Sequence, residues 1–193
     1  MPFIFLNQVL EMIIRIADKK DAEYAETLCE WYAESAKQRG TGIAKRNPVY
    51  VQRKMIKGDA VIAFDDEGRL AGFSYIESYE NKKFVVNSGL IVRTEFRNTG
   101  LGKKIKHKIF ELSRTKYPNS KIFSITTNLA VMKINSELGY RPVTFSELTQ
   151  SEEFWQGCSS CKNYHILMEN DRKMCLCTGL VYDNLNGAKY AEK

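Results

Sequence analysis

The chain has 193 residues, of which 44% are hydrophobic and 27% charged, with only 12 Gly and 4 Pro. That is enough chain for one domain with a buried core, and the balance excludes a disordered, collagen-like or low-complexity protein. Lys and Arg number 29 against 23 Asp and Glu, a net charge of +6, which suits an anionic ligand, nucleic acid or an acidic surface as readily as simple solubility.

Residues 1–11 read as an extension, because the periodic pattern starts near Met12. Ile13 to Ile16 is a short apolar run that predicts a first strand. Over 21–38, Ala22, Ala25, Leu28, Cys29, Tyr32 and Ala36 recur at helical spacing, and Gly40 and Gly42 stop the helix. A basic loop, Arg39-Gly-Thr-Gly-Ile-Ala-Lys-Arg46, follows. Asn47-Pro48 predicts a capped helix start, with Val51, Met55 and Ile56 inward and Gly58 at its end. Then come three strand signals at 60–64, 70–78 and 84–92, joined by short turns, which predict an antiparallel meander.

The period changes after residue 92. Ile105, Ile109, Phe110 and Leu112 predict a helix over 102–115. A buried strand at 122–126 and a helix at 129–138, with Val131, Ile134 and Leu138 inward, predict a parallel crossover. For 141–183 the pattern predicts a strand near Val143, a short helix at 152–155 and a hairpin from Tyr164 to Tyr182; 184–193 reads as a polar tail. No run of about 18 apolar residues occurs, so no membrane-spanning helix is expected.

The stretch richest in chemistry is Gly89-Leu-Ile-Val-Arg-Thr-Glu-Phe-Arg97-Asn-Thr-Gly100-Leu-Gly102-Lys103. A strand runs into a glycine-containing loop and straight into a helix. The first helical N–H groups have no intrahelical partner and carry the positive end of the dipole, which binds phosphate. Arg97, Lys103, Lys104 and Lys106 add positive charge. The spacing fits neither a P-loop, which needs Gly at 97 and Ser or Thr at 104, nor a dinucleotide fingerprint, because Ile105 follows Gly-x-Gly.

Arg97-Asn-Thr-Gly100-Leu-Gly102 resembles the acyl-CoA motif of the GCN5-related N-acetyltransferase (GNAT) superfamily, Arg/Gln-x-x-Gly-x-Gly/Ala. The second motif of that family is matched by Asn128 and Gly139-Tyr140, with Val131 for its Ala and Asn135 for its Tyr. The resemblance covers about residues 12–145. It implies an α/β acyl-CoA N-acyltransferase fold, with a central mixed β-sheet flanked by helices, over one domain at 12–183. Residues 146–183 would then be a C-terminal extension carrying a cysteine cluster.

It also implies a mechanism. The loop amides over Arg97, Asn98, Thr99, Gly100, Leu101, Gly102 and Lys103 hold the CoA pyrophosphate, and Leu90, Ile91 and Val92 pair with the pantetheine arm as an added strand would. Asn128 and Asn135 join the cofactor contacts. An amine then attacks the thioester directly, which requires a base, oxyanion stabilisation and protonation of the leaving thiolate. The strand at 84–92 holds no acid, so Glu77 is the expected base. The family's usual acid, a Tyr, is replaced by Asn135, with Tyr140 and Tyr164 as candidate substitutes. Arg39 and Arg46, from the basic loop, with Asn87 and Ser88, are expected at the acceptor site, where Arg clamps a carboxylate.

The runs Arg39-Gly-Thr-Gly-Ile-Ala, Asn87-Ser-Gly-Leu-Ile-Val and Ile125-Thr-Thr-Asn-Leu-Ala-Val-Met-Lys-Ile-Asn135, with Cys-Leu-Cys177, look like bacterial acyltransferases of arginine biosynthesis, which implies glutamate as acceptor and acetyl-CoA or succinyl-CoA as donor. Rival readings are a GNAT acting on a protein or peptide amine, a non-catalytic acyl-CoA sensor and a nucleic-acid module. The last lacks an interleaved aromatic and basic stripe. A homodimer stays open.

Five cysteines, four of them Cys158, Cys161, Cys175 and Cys177, do not make a secreted disulfide scaffold at this length, and no basic leader precedes the apolar start, so a cytoplasmic protein is expected. Cys158-x-x-Cys161 and Cys175-x-Cys177 offer four ligands to a structural zinc, with His165 to spare; free thiols are the alternative. His107 is expected to be exposed, and Met132 and Trp155 to pack.

Overall fold

The computed structural model describes residues 11–40 and 45–183. Most of the N-terminal extension, residues 41–44 of the basic loop and the 184–193 tail lie outside the described residues.

Seven strands form one mixed sheet in the order β1-β2-β3-β4-β5-β7-β6. They are β1 (Ile13–Ile16), β2 (Ala60–Phe64), β3 (Leu70–Tyr79), β4 (Phe84–Val92), β5 (Lys121–Thr126), β6 (Arg141–Val143) and β7 (Thr178–Asp183). The expected meander is present: β2, β3 and β4 pair antiparallel in turn, and β1 adds to its edge, antiparallel to β2. The expected crossover is present too, since β4 and β5 run parallel. β7 lies between β5 and β6 and is antiparallel to both.

The helices are α1 (Ala25–Arg39), α2 (Pro48–Ile56), α3 (Leu101–Lys116), α4 (Leu129–Glu137), α5 (Glu152–Gln156) and α6 (Tyr164–Glu169). α2 starts as read: the Asn47 side chain accepts from the Val49 N–H, with Pro48 in the first turn. The alternation of β2 sorts the core. Ala60, Ile62 and Phe64 pack with Leu28, Tyr32, Val51 and Met55 of α1 and α2. Val61 and Ala63 pack on the other face with Ile105, Ile109 and Leu112 of α3. Among the described residues no helix is long and apolar enough to cross a membrane.

Two local expectations fail. The hairpin at 164–182 is absent: Tyr164–Glu169 is helix α6, and only the second half is a strand. The run Tyr-His-Ile-Leu-Met-Glu has no period of two, and the chain after it turns through left-handed residues Asp171 (φ 50°) and Arg172 (φ 62°). In α4, Val131, Ile134 and Leu138 are only half-buried, and the one fully buried residue is Asn135.

The sheet carries one discontinuity. β4 and β5 pair only at Phe84↔Lys121, Val85↔Ile122 and Val86↔Phe123. β5 then follows β7 to Thr126, whereas β4 follows β3 to Val92. The strands therefore part after Val86, and the backbone of residues 87–92 has no ladder partner on its β5 side. Gly89, at φ 63°, bulges there; a Cβ on it would lie 2.5 Å from the Tyr75 ring and 2.7 Å from the Tyr32 oxygen. The Tyr32 hydroxyl donates to the Gly89 carbonyl, which holds α1 over the fork.

Candidate active site

The loop after β4 has the backbone features expected of an anion cradle. Asn98 and Gly100 both take positive φ, 64° and 82°, so the amides around Thr99 turn toward one side. Thr99 Oγ1 ties the loop down by donating to the Phe96 carbonyl at 2.7 Å. α3 then begins with no side-chain cap and no acid in its first turn, leaving its first N–H groups available. Arg97 is exposed, and its Nε donates to the Val92 carbonyl at 3.2 Å. A groove of about 240 Å³ runs alongside, lined by Trp31, Gln38, Ile91, Val92, Arg93 and Arg97.

Three cations sit differently from expectation. Lys103 lies 2.6 Å from Glu137 of α4, an ion pair that pulls the Glu137 carboxyl below its ordinary range. Arg39, expected at the acceptor, donates to the Ser35 carbonyl at 3.1 Å and faces Arg97; burial and that like charge lower its pKa. It therefore adds to the cradle's positive field. Lys106 is not beside the loop at all, because the helix turn carries it to the sheet side, where it is 2% exposed.

On the α1/α2 face, β3 presents Tyr75, Glu77 and Tyr79. Glu77 is half-buried, and both of its oxygens are engaged. Oε1 accepts from the Tyr50 hydroxyl, and Oε2 accepts from Ser88 Oγ at 2.5 Å. Its negative charge, behind burial, pushes the Tyr50 and Tyr79 phenols upward. The Arg46 guanidinium lies 4.2 Å over the Tyr32 ring and 5.5 Å over Tyr75. Arg46 also donates to the Tyr75 hydroxyl, while its Nε is buried without a partner. Lys54 stands 4.9 Å over the Tyr50 ring; burial lowers its pKa, and Glu77 opposes that. The basin thus sets a carboxylate beside two cations, with Tyr32, Tyr50 and Tyr75 between them.

Asn87, expected beside Ser88, faces the opposite side of the sheet. It pairs with Ile76 whereas Ser88 pairs with Tyr75, and alternation sends it toward α3. There Asn87 Nδ2 donates to Ser113 Oγ at 2.7 Å, and Asn87 Oδ1 accepts from Tyr140 at 3.1 Å and from Lys106 Nζ at 3.3 Å. Tyr140 is buried, which drives its phenol pKa well up. Asn135 is fully buried, and neither atom of its amide has a partner. Asn128 caps α4, its oxygen accepting from Ala130 and Val131 at 2.9 and 3.3 Å. His107, expected on the outside, is half-buried with Nε2 unpartnered.

The expected zinc site is not formed. Among the described residues no group of three or more His, Cys, Asp or Glu side chains is placed to hold a metal ion. The i, i+2 argument needed Cys175 and Cys177 on a strand, but β7 starts at Thr178, and both lie in the bend before it. Cys158, Cys161, Cys175 and Cys177 instead line a small apolar pocket with Trp155 and Tyr164. Tyr164, a candidate acid, belongs to this pocket; Trp155 packs, donating to the Thr149 carbonyl at 2.9 Å. Burial and the neighbouring thiols push Cys158 and Cys177 up to about 12. Both should therefore alkylate with iodoacetamide at pH 7.5 at least about 100-fold more slowly than a free thiol, because the thiolate is the nucleophile. Mass spectrometry of a time course checks this, and ordinary rates at these positions would contradict it.

The sequence matches no protein-family model and no curated protein. Solved structures do match. N-acetylglutamate synthase from Neisseria gonorrhoeae, complexed with coenzyme A and N-acetyl-glutamate, superposes with a TM-score of 0.62 at 18% identity, covering 90% of this chain and 35% of that one. The chain thus spans about a third of that enzyme's length. The Mycobacterium tuberculosis protein Rv2747, in complex with CoA, gives 0.62 at 12% identity over 89% of this chain and 98% of that one. A GNAT phosphinothricin acetyltransferase from Sinorhizobium meliloti, in complex with AcCoA, gives 0.59 at 14% over 89% and 88%. The chain has the fold of the GNAT acetyltransferases.

Proposed function

We propose that the protein is an acyl-CoA-dependent N-acyltransferase, moving an acetyl or succinyl group to the α-amine of an amino acid, with glutamate the favoured acceptor. The observation that carries this reading is the junction of an uncapped, positively charged loop at the start of α3 with a sheet that forks after Val86. The loop amides and Arg97 receive the pyrophosphate. The free edge at Leu90, Ile91 and Val92 receives the pantetheine arm by main-chain hydrogen bonds. The thioester then comes to lie at the fork.

Arg46 takes the acceptor's carboxylate, and Glu77 takes a proton from its ammonium, with Ser88 and Tyr50 holding Glu77 in place. The freed amine attacks the carbonyl carbon and gives up its second proton to water as the C–N bond forms; the C–S bond breaks, and the thiolate leaves with the electron pair. An acidic amino acid suits the basin because Arg46 and Lys54 together offer two positive charges. The resemblance to acyltransferases of arginine biosynthesis supports the same acceptor.

A thiol-release assay, with acetyl-CoA and succinyl-CoA each offered a panel of amino acids, tests the proposal. Turnover at least tenfold higher with glutamate than with lysine is expected. Absence of thiol release with every amine would contradict it. Arg46→Ala should raise KM for glutamate about tenfold to a hundredfold, the range of a charge-assisted hydrogen bond of about 1.5–3 kcal/mol. Arg46→Lys should restore only part of this, since lysine lacks the planar fork. An unchanged KM in steady-state kinetics would remove Arg46 from the acceptor site.

A further inference from the structure

Lys106 is one of the chain's least accommodated groups. It lies on α3, 2% exposed, with Nζ 3.3 Å from Asn87 Oδ1 and 5.4 Å from the centre of the Tyr140 ring. That oxygen also accepts from the Tyr140 hydroxyl at 3.1 Å. Asn87 Nδ2 donates to Ser113 Oγ, which donates to the Ile109 carbonyl at 2.8 Å. The groups facing Lys106 from β4, α3 and the turn after α4 are thus an amide, a hydroxyl and a phenol, with Tyr182 of β7 behind Tyr140. Of the charged neighbours on α3 and α4, Lys103 and Glu137 pair with each other at 2.6 Å. His107, next to Lys106 on α3, has an unpartnered ring nitrogen.

Asn87 is the first residue of β4 past the last pair with β5, so this cation stands at the point where the strands part. An unpartnered amide stands close by. Asn135 is fully buried with both amide atoms unpartnered, and its carbonyl accepts from the Tyr140 N–H at 3.0 Å. Tyr140 thereby touches both residues. Buried cations are ordinarily paired and buried amides hydrogen-bonded. Lys106 has only neutral partners and the Asn135 amide has none, and together they point to a ligand that brings negative charge to this place.

In the acyl-transfer reading, on which this inference rests, the charge that develops on the cofactor is the departing thiolate. We propose that Lys106 protonates that thiolate as the acyl group leaves, the task for which the chain has no phenol at position 135. The C–S bond breaks with its electron pair going to sulfur, one Nζ–H proton moves to sulfur, and Lys106 is left as a neutral amine. It recovers a proton from solvent after CoA leaves. Burial pulls its pKa down to about 7, so the ammonium is a strong enough acid for a thiolate and is still populated at neutral pH.

The test compares wild type, Lys106→Met and Lys106→Gln, using acetyl-CoA and the best amine from the thiol-release panel. Calorimetry with CoA, thermal melting and kcat against pH are measured on each. Lys106→Met is expected to raise the melting midpoint, because it removes a buried charge, and to keep CoA affinity within about threefold. Its kcat should fall about 100-fold, and the decline of wild-type kcat as pH rises through 7 to 8 should vanish. Lys106→Gln should show the same loss, which covers a misfolded Met variant. A stable variant that binds CoA and keeps wild-type kcat and the same alkaline limb overturns the proposal while leaving the acyl-CoA reading intact. A wild type that takes up no CoA overturns both.

Discussion

Substituting valine for Gly100 should weaken acetyl-CoA binding about tenfold, and Arg97→Ala should weaken it about tenfold to a hundredfold. Gly100 holds φ 82° with nothing within 4 Å of where its Cβ would stand, so the damage is conformational and not a clash. A non-glycine residue in the left-handed region costs about 1–2 kcal/mol, more for a β-branched one, and the chain can relieve that only by turning the cradle amides away. At 1.4 kcal/mol per factor of ten, this corresponds to about tenfold in Kd. Arg97 acts through charge. A charge-assisted hydrogen bond to phosphate is worth about 1.5–3 kcal/mol, hence the wider range. Calorimetric titration of each variant with acetyl-CoA measures both. Unchanged affinity in Gly100→Val would mean that the loop does not hold the phosphates.

The second large effect belongs to Glu77→Gln, which should lower kcat about 100-fold near pH 7. The sign of its pH dependence follows from the acceptor. An α-ammonium is mostly protonated below pH 8 and must lose a proton before it can attack, so a base matters most at low pH. As pH rises, free amine accumulates in solution, and the gap between variant and wild type should narrow. Gln keeps the shape of the side chain and can still meet Ser88 and Tyr50, which separates loss of basicity from loss of packing. Steady-state kinetics from pH 6 to 9.5 give the answer. A constant ratio across that range would assign Glu77 to positioning alone.

The left half of the sheet was legible because its turns are short: 65–69 and 80–83 force neighbouring antiparallel strands. The loop was legible because a strand, two glycines and a helix lie in one continuous run. The basin around Glu77 was not, since Tyr32 comes from α1, Arg46 from the loop, Tyr50 from α2, and Tyr75 and Glu77 from β3. No spacing within one segment announces a group assembled from four. Asn87 and Ser88 were read together because they are adjacent, yet adjacency on a strand means opposite faces. Lys106 carried a readable signal that its neighbours masked. It shares a helix face with Ile109, Phe110 and Ser113, but sits in a basic run that reads as a solvated surface. The zinc expectation failed for want of a strand at 175–177; Cys177 there, like Cys158, lines an apolar pocket whose burial pushes its thiol up to about 12.

The most direct measurement is a two-dimensional amide NMR titration of the wild-type protein with acetyl-CoA. The account predicts saturable shifts concentrated at residues 90–92, 98–104 and the start of α4. No shifts at millimolar ligand, or shifts that cluster away from the fork and the loop, would contradict it.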